Sequence, residues 1–355
     1  MTSESADSDI FELDQSRRKA LLDAVIATLD QYVFPDVAQQ LQAELCQRRD
    51  AGGYDDITDG PQCAELLTLQ LQELSGDRQL KVHFSPQALP HLDPEQHPTP
   101  AELLAEEQQS RLRNFDINRV ERLRGNIGYL ELYGFEPPEF AGQAIAAAMT
   151  LLSHTEALII DIRHNRGGSP AMVTLLCSYL LPTYPAVHLN DLYWRPDDTT
   201  RQWWTVAHVE APRYLDKPVY VLTSQETFSA AEEFAYNLQT LQRVIVVGEH
   251  TAGGANPGRG YRLSDHFWLF VPTGQSINPI TQENWAQTGI IPDVKVPSEL
   301  TLPTAHLMAL NKLLETASNG VGFRELQRTM LLVERELNTR RADLISQLKQ
   351  PQSSR

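Results

Sequence analysis

Between Ile127 and Gly248 the chain alternates short apolar runs with helical stretches, and this alternation limits its fold more than any other feature. Ile127-Gly-Tyr-Leu-Glu-Leu reads as a strand, 138–152 as an alanine-rich helix, and Ala157-Leu-Ile-Ile-Asp-Ile as a buried strand. A helix follows Ser169-Pro170, where the missing proline N–H costs nothing at the first helical position. A strand at 218–223, a helix at 229–241 and a strand at 244–248 continue the series. Strands joined by helices of ten to fifteen residues need crossover connections, which lay the strands parallel in one sheet with helices on its faces. Later strands are expected at 267–271 and 293–296. The class is therefore α/β.

The flanks have a different texture. Leu21, Leu22, Val25, Ile26 and Leu29 form one helical stripe, and Val37, Leu41 and Leu45 form a second. Ala51-Gly-Gly-Tyr-Asp breaks the pattern before a third helix at about 61–74. The expected organisation is a disordered acidic N-terminus (1–12), a small helical domain (13–84) and a Pro- and Gln-rich connector (85–120). The connector carries a short helix near 101–113, and the α/β core (121–300) and C-terminal helices (301–355, broken at Asn319-Gly320) follow. Leu326, Met330, Val333 and Leu337 make an apolar stripe that would pack on its own domain or join copies into a homo-oligomer.

A net charge of −16 argues against a nucleic-acid partner. No apolar run reaches the eighteen or so residues of a membrane span, and the N-terminus lacks the apolar stretch of a signal peptide. Cys46, Cys63 and Cys177 are odd in number and lack metal-ligand spacing. A reduced, cytoplasmic chain without metal or cofactor is expected.

Three segments could carry chemistry. Thr223-Ser-Gln-Glu-Thr-Phe-Ser-Ala-Ala-Glu-Glu-Phe-Ala joins an apolar strand to an amphipathic helix, which places Ser229 at a helix N-terminus. Free N–H groups there, that of Ala230 included, can stabilise a developing anion. Ser229-Ala-Ala-Glu232 is equally a capping box, and the two roles are compatible. Asp161-Ile-Arg-His-Asn-Arg-Gly-Gly-Ser-Pro ends a buried strand, and Gly167 and Gly168 suit either an oxyanion site or a tight turn. Gly248-Glu-His-Thr-Ala-Gly-Gly-Ala-Asn-Pro-Gly, with Gly253 and Gly254, reads as a hairpin or substrate-edge loop.

In this order the segments resemble the core of the tail-specific (C-terminal processing) serine protease family. Tyr32-Val-Phe-Pro-Asp-Val-Ala, Gly53-Tyr-Asp, Gly125-Asn-Ile-Gly-Tyr-Leu, Asn278-Pro-Ile-Thr and Gly289-Ile-Ile-Pro-Asp are similar to its interphotoreceptor retinoid-binding protein-like branch. The resemblance covers roughly 20–300 and implies a ClpP/crotonase-like mixed sheet with helices, a small N-terminal helical domain and no PDZ module. It implies Ser229 as the nucleophile and the Gly168 and Ala230 amides as oxyanion donors.

The matching stops at the base. The dyad branch keeps a lysine twenty-five positions after the serine, where this chain has Gly254. The tricorn-like branch uses a histidine and an orienting glutamate, and the corresponding positions hold Gln79 and Ala286. Neither substitute can titrate near neutrality. Substitute groups are His83, His164, His250 and Glu283, with His83 the expected base. Arg166 occupies a position usually glycine and is expected to bind a carboxylate. The expected function is a divergent serine hydrolase acting on a peptide or small molecule. The alternative is a non-catalytic binder of an apolar or carboxylate ligand. Aromatics that could line its cleft are Phe228 and Trp285, with Trp203, Trp204, Tyr261 and Phe267.

Overall fold

The computed structural model describes residues 12–90, 98–317 and 321–349. The segment expected to be disordered and the break at Asn319-Gly320 therefore lie outside the described residues, Glu12 excepted. The chain forms two compact units. One comprises Met1–His97, Leu192–Arg201 and Asn256–Ser276, and the other Pro98–Asp191, Gln202–Ala255 and Ile277–Arg355.

The first unit opens with helices α1 (Gln15–Thr28), α2 (Pro35–Asp50) and α3 (Gly60–Ser75), followed by strand β1 (Lys81–Phe84). Local chemistry sets the helix ends. Asp14 and Asp59 accept N–H bonds of 2.8 Å from Arg17 and Gln62, capping α1 and α3. Gly76 closes α3 at φ 70°, a left-handed conformation that suits glycine. The apolar stripes of all three helices meet in one core, with Val25, Leu29, Leu41, Leu45, Leu67 and Leu71 fully buried.

The second unit begins with α4 (Pro100–Leu112), the helix expected near 101–113, held by a Thr99–Glu102 capping box. The central elements follow as β2 (Ile117–Leu123), β3 (Ile127–Leu132), α5 (Pro138–Leu152), β4 (Ala157–Asp161) and α6 (Pro170–Leu180). After β5 (His188–Trp194) and β6 (Thr199–Trp204) come β7 (Val219–Thr223), α7 (Ala230–Thr240) and β8 (Ile245–Gly248). The remaining elements are β9 (Gly258–Arg262), β10 (Phe267–Pro272), β11 (Gly274–Ile277), β12 (Val294–Lys295), α8 (Ser298–Thr316) and α9 (Val321–Lys349).

A six-stranded sheet in the order β12-β8-β7-β4-β3-β2 organises this unit. It is parallel from β12 to β3, with register pairs such as Ile127↔Ala157 and Leu158↔Val219, and β2 runs antiparallel at its edge. Its strands are apolar at successive positions because both faces are covered. Leu158 and Ile160 pack with α5, α6 and α7, whereas Ala157 and Ile159 pack with Ala305, Ala309 and Leu310 of α8. Val333 of α9 joins that second cluster, and Leu326 and Met330 pack against it, so most of the C-terminal stripe is used within the unit.

One expectation needs correction. The strand at 267–271, expected in the core sheet, instead lies between β1 and β9 in a small antiparallel sheet of the first unit, with Val82 opposite Leu269. Its pairing partner lies far away in sequence, and an apolar run says that a strand is buried without saying against what. A third sheet has the order β11-β5-β6.

Candidate active site

The site grows out of the carboxyl end of β4. Asp161 is buried and takes a forked pair of bonds from Arg163, Nε at 2.9 Å and Nη2 at 2.6 Å, plus one from Tyr129 Oη at 2.7 Å. Burial and the neighbouring Asp161 charge push the Tyr129 pKa up, which keeps its proton in that bond. Beyond this anchor the chain turns at Asn165. The Asn165 side chain accepts the Gly167 N–H at 2.8 Å, and its carbonyl accepts the Phe228 N–H at 3.1 Å. Thr227 Oγ1 donates to Ile162 O at 3.0 Å, a second tie between the turn after β4 and the loop after β7.

These ties press the glycine pair against the start of α7. A Cβ on Gly167 would lie 2.8 Å from Ser229 Cβ and 2.9 Å from Ala230 N, and its φ of +100° is one that side chains rarely adopt. Gly168, at φ +135°, approaches the Phe135 carbonyl so closely that a Cβ would sit 2.2 Å from that oxygen. Both glycines are therefore sterically required. Gly167→Ala should destabilise the chain by about 2 kcal/mol. A denaturant titration with an unchanged midpoint would refute this.

Ser229 itself has φ 55° and ψ −125°, an unfavourable conformation for a residue with a side chain. Such strain persists where the surroundings over-determine it, and it concentrates at functional positions. The surroundings here are Gly167 on one side and Glu232 on the other. Glu232 is fully buried on α7 and accepts four bonds. They come from Ser229 N–H at 2.9 Å, Gly254 N–H at 2.8 Å, Gly253 N–H at 2.7 Å and Thr251 Oγ1 at 2.5 Å. Burial raises its pKa, and these four donors offset only part of that rise. The capping box is thus present, with Glu232 to the Ser229 N–H as its well-formed arm. The Ser229 hydroxyl makes no side-chain cap bond of full geometry, and no His or Lys side chain hydrogen-bonds to it among the described residues.

Two amides beside Ser229 are open. The Ala230 N–H is at the first helical position and has no intrahelical acceptor. The Gly168 N–H, on an exposed residue, likewise has no acceptor among the described residues. Such a pair can receive an oxyanion or a carboxylate oxygen.

The remaining candidates are scattered. Phe228 is half-buried, with its ring against Gly254, where a Cβ would lie 2.0 Å from Phe228 Cε2. Trp285 is 2% exposed and packs on Tyr236, so it is a core side chain and offers no free face to a ligand. Phe267 is likewise core, in the first unit. His83 is also in the first unit, with its ring stacked on Trp268 at 3.9 Å and its pKa held down by burial and by Lys81. Gln79, where a histidine base is expected, has both ends of its amide occupied by the Asn256 backbone, at 3.1 and 3.2 Å. Ala286 offers no polar group, Glu283 is exposed, and His250 is half-buried. His164 Nδ1 lies 3.5 Å from Glu226 and Arg166 Nη2 lies 3.8 Å from it, both largely in solvent. Sequence reasoning missed Asn165 as the tie between the two loops and Glu232 as the hub of the glycine-rich loop. The asparagine of the D-x-R-x-N-x-G-G turn was the available signal for the first.

A parallel sheet with a strained serine at a strand-to-helix junction, two open amides beside it and a glycine turn pressed on it defines the serine-peptidase class of α/β proteins. Residues 126–296 match the model of peptidase family S41, and residues 5–114 match the N-terminal domain of that peptidase in eukaryotic IRBP. The chain belongs to the S41 peptidase family. It is 28% identical over 175 residues to the carboxyl-terminal-processing protease of Synechocystis, covering 49% of this chain and 39% of that protein. The chain thus spans well under half the length of that relative. Its fold is similar to that of a candidate peptidase from Parabacteroides merdae, with TM-score 0.56, 18% identity, and 79% and 90% of the two chains covered. It is also similar to the photosystem II D1 C-terminal processing protease, with TM-score 0.50, 17% identity, and 81% and 94% covered. No PDZ module is present among the described residues.

Proposed function

We propose that this chain is a divergent S41 member that keeps the serine, the oxyanion-type amides and the scaffold, and lacks the side-chain base that makes such a serine an efficient nucleophile. The observation that carries this is the Ser229 hydroxyl without a titratable hydrogen-bond partner. Two further facts support it. Phe228 fills the space above Gly254, so the dyad-lysine position leaves no room for a side chain as the loop stands. Gln79 is consumed as a backbone clamp. A site of this kind binds an acyl or carboxylate oxygen on the Gly168 and Ala230 amides, with Arg166 as a nearby cation, and turns its ligand over slowly or not at all. The ligand is a peptide or a small carboxylate. The three free cysteines fit a reducing, cytoplasmic setting, which belongs to the same proposal.

The test is a fluorophosphonate probe at neutral pH. A positioned base contributes roughly 10²–10⁴-fold, so labelling of Ser229 should be slower by about that factor than for an S41 peptidase with an intact base. Rapid, stoichiometric labelling that disappears in Ser229→Ala would overturn the proposal.

A further inference from the structure

The first unit contains a cleft of about 210 Å³ that plays no part in the Ser229 site. Arg18, Lys19 and Leu22 of α1 line one side, and Asp50, Tyr54 and Asp55 line the other. We infer that it is a binding site for a small monocarboxylate, received by Arg18.

Arg18 is 6% exposed, yet no carboxylate pairs with it among the described residues. Its Nη1 donates to the carbonyls of Ile57 at 2.7 Å and Leu13 at 3.4 Å. The donors on Nε and Nη2 have no acceptor among the described residues, although the side chain lines the cleft. Buried charges are ordinarily paired, because taking an ion out of water without a partner is costly. A lysine or glutamate can relieve that cost by changing protonation, but a guanidinium cannot. Arg18 therefore keeps its charge and presents it to the cleft. The Nε–Nη2 edge is the one that grips a carboxylate with two parallel bonds.

The other charges set the ligand's character. Arg49, which also lines the cleft, is already engaged by Asp23 at 2.6 Å and Asp50 at 2.9 Å. Lys19 is exposed and forms no ion pair among the described residues, so it adds a second cation beside Arg18. Asp50 and Asp55, on the same walls, disfavour a dianion such as phosphate. Leu22 and the buried Tyr54 supply apolar surface. The volume falls below the roughly 300–1,000 Å³ that encloses drug-sized ligands, which fits an acid about the size of an amino acid.

The test is calorimetric titration of the full chain with N-acetyl-leucine and with its amide. The acid should bind with a dissociation constant of about 1 mM or tighter, and the amide at least tenfold more weakly. Arg18→Met should remove the binding of the acid that depends on this cleft and leave any binding at the Gly168 and Ala230 amides in place. Because that variant also loses two carbonyl bonds, Lys19→Ala at an exposed position provides a second arm and should weaken binding several-fold. Because Ser229→Ala leaves the Gly168 and Ala230 amides in place, the part of the isotherm that is lost in Arg18→Met is what separates this site from the one proposed above. Equal binding of acid and amide, no binding of either, or unchanged affinity in both cleft variants would overturn the inference.

Discussion

Glu232→Gln should lower stability by about 3 kcal/mol, a drop in melting temperature of roughly 6–12 °C. Each Glu232 oxygen accepts two bonds, Oε1 from Thr251 Oγ1 and Gly253 N–H, Oε2 from Ser229 N–H and Gly254 N–H. A glutamine presents an oxygen on one side only. Its NH₂ end must face two donors, which loses two bonds and sets its two buried hydrogens against the two donor hydrogens. The expected damage is local as well as global. The glycine-rich loop from Thr251 to Gly254 should loosen, with faster amide exchange at Gly253 and Gly254. Where the NH₂ end takes the Oε2 position, the Ser229 N–H also loses its acceptor and its strained backbone should relax. A variant that melts with the parent and keeps amide protection at Gly253 and Gly254 would remove Glu232 from its place as the hub.

The same residue shows how far the sequence could be read. Ser229-Ala-Ala-Glu232 is visible as a capping box because both partners lie within four residues of each other. That Glu232 also holds Gly253 and Gly254, more than twenty residues on, depends on how α7 and the loop after β8 pack, which no local pattern encodes. The parallel core was legible for the opposite reason. Strands such as Ala157–Asp161 are buried on both faces, so each is a continuous apolar run, and the helices between them have their own 3.6-residue period. β10 has the same kind of run, but nothing local distinguishes pairing with β8 from pairing with β1. At the site, residue types placed a serine at the strand-to-helix junction and Gln79, Gly254 and Ala286 at the positions where the family resemblance implies base groups. The steric reason that Gly254 has no room for a lysine lies in the Phe228 ring, a contact across twenty-six positions.

The next residue on α7 should make the whole chain pH-sensitive. Glu233 is 5% exposed, and burial pushes its pKa up to about 7, against the pull of the neighbouring Asn190 and Asn237 amides. Its Oε1 has no partner, and Cys177 is fully buried, which together with the nearby Glu233 charge raises the thiol's pKa. The unfolded glutamate titrates near 4.5. Below that value both states hold the proton and the group leaves stability unchanged with pH. Between about 4.5 and 7 only the folded chain keeps the proton, so stability falls as pH rises, and above 7 the folded chain must carry a buried, half-satisfied charge. The full loss is about 3 kcal/mol. Glu233→Gln keeps the shape and removes the titration, so it should match the parent near pH 4.5 and exceed it by about 3 kcal/mol at pH 8. Urea titrations of both proteins at intervals from pH 4.5 to 8 read this directly. Parallel curves across that range would mean that Glu233 is ionised at little cost, through a counter-charge or water at Oε1. Curves that separate as pH rises, with the parent losing stability, would place a neutral acid one turn into the helix that begins at Ser229. The first turn, which already holds the Glu232 carboxyl, would then gain the Glu233 charge only above neutrality, where that charge weakens the hold of the open Ala230 amide on an anion.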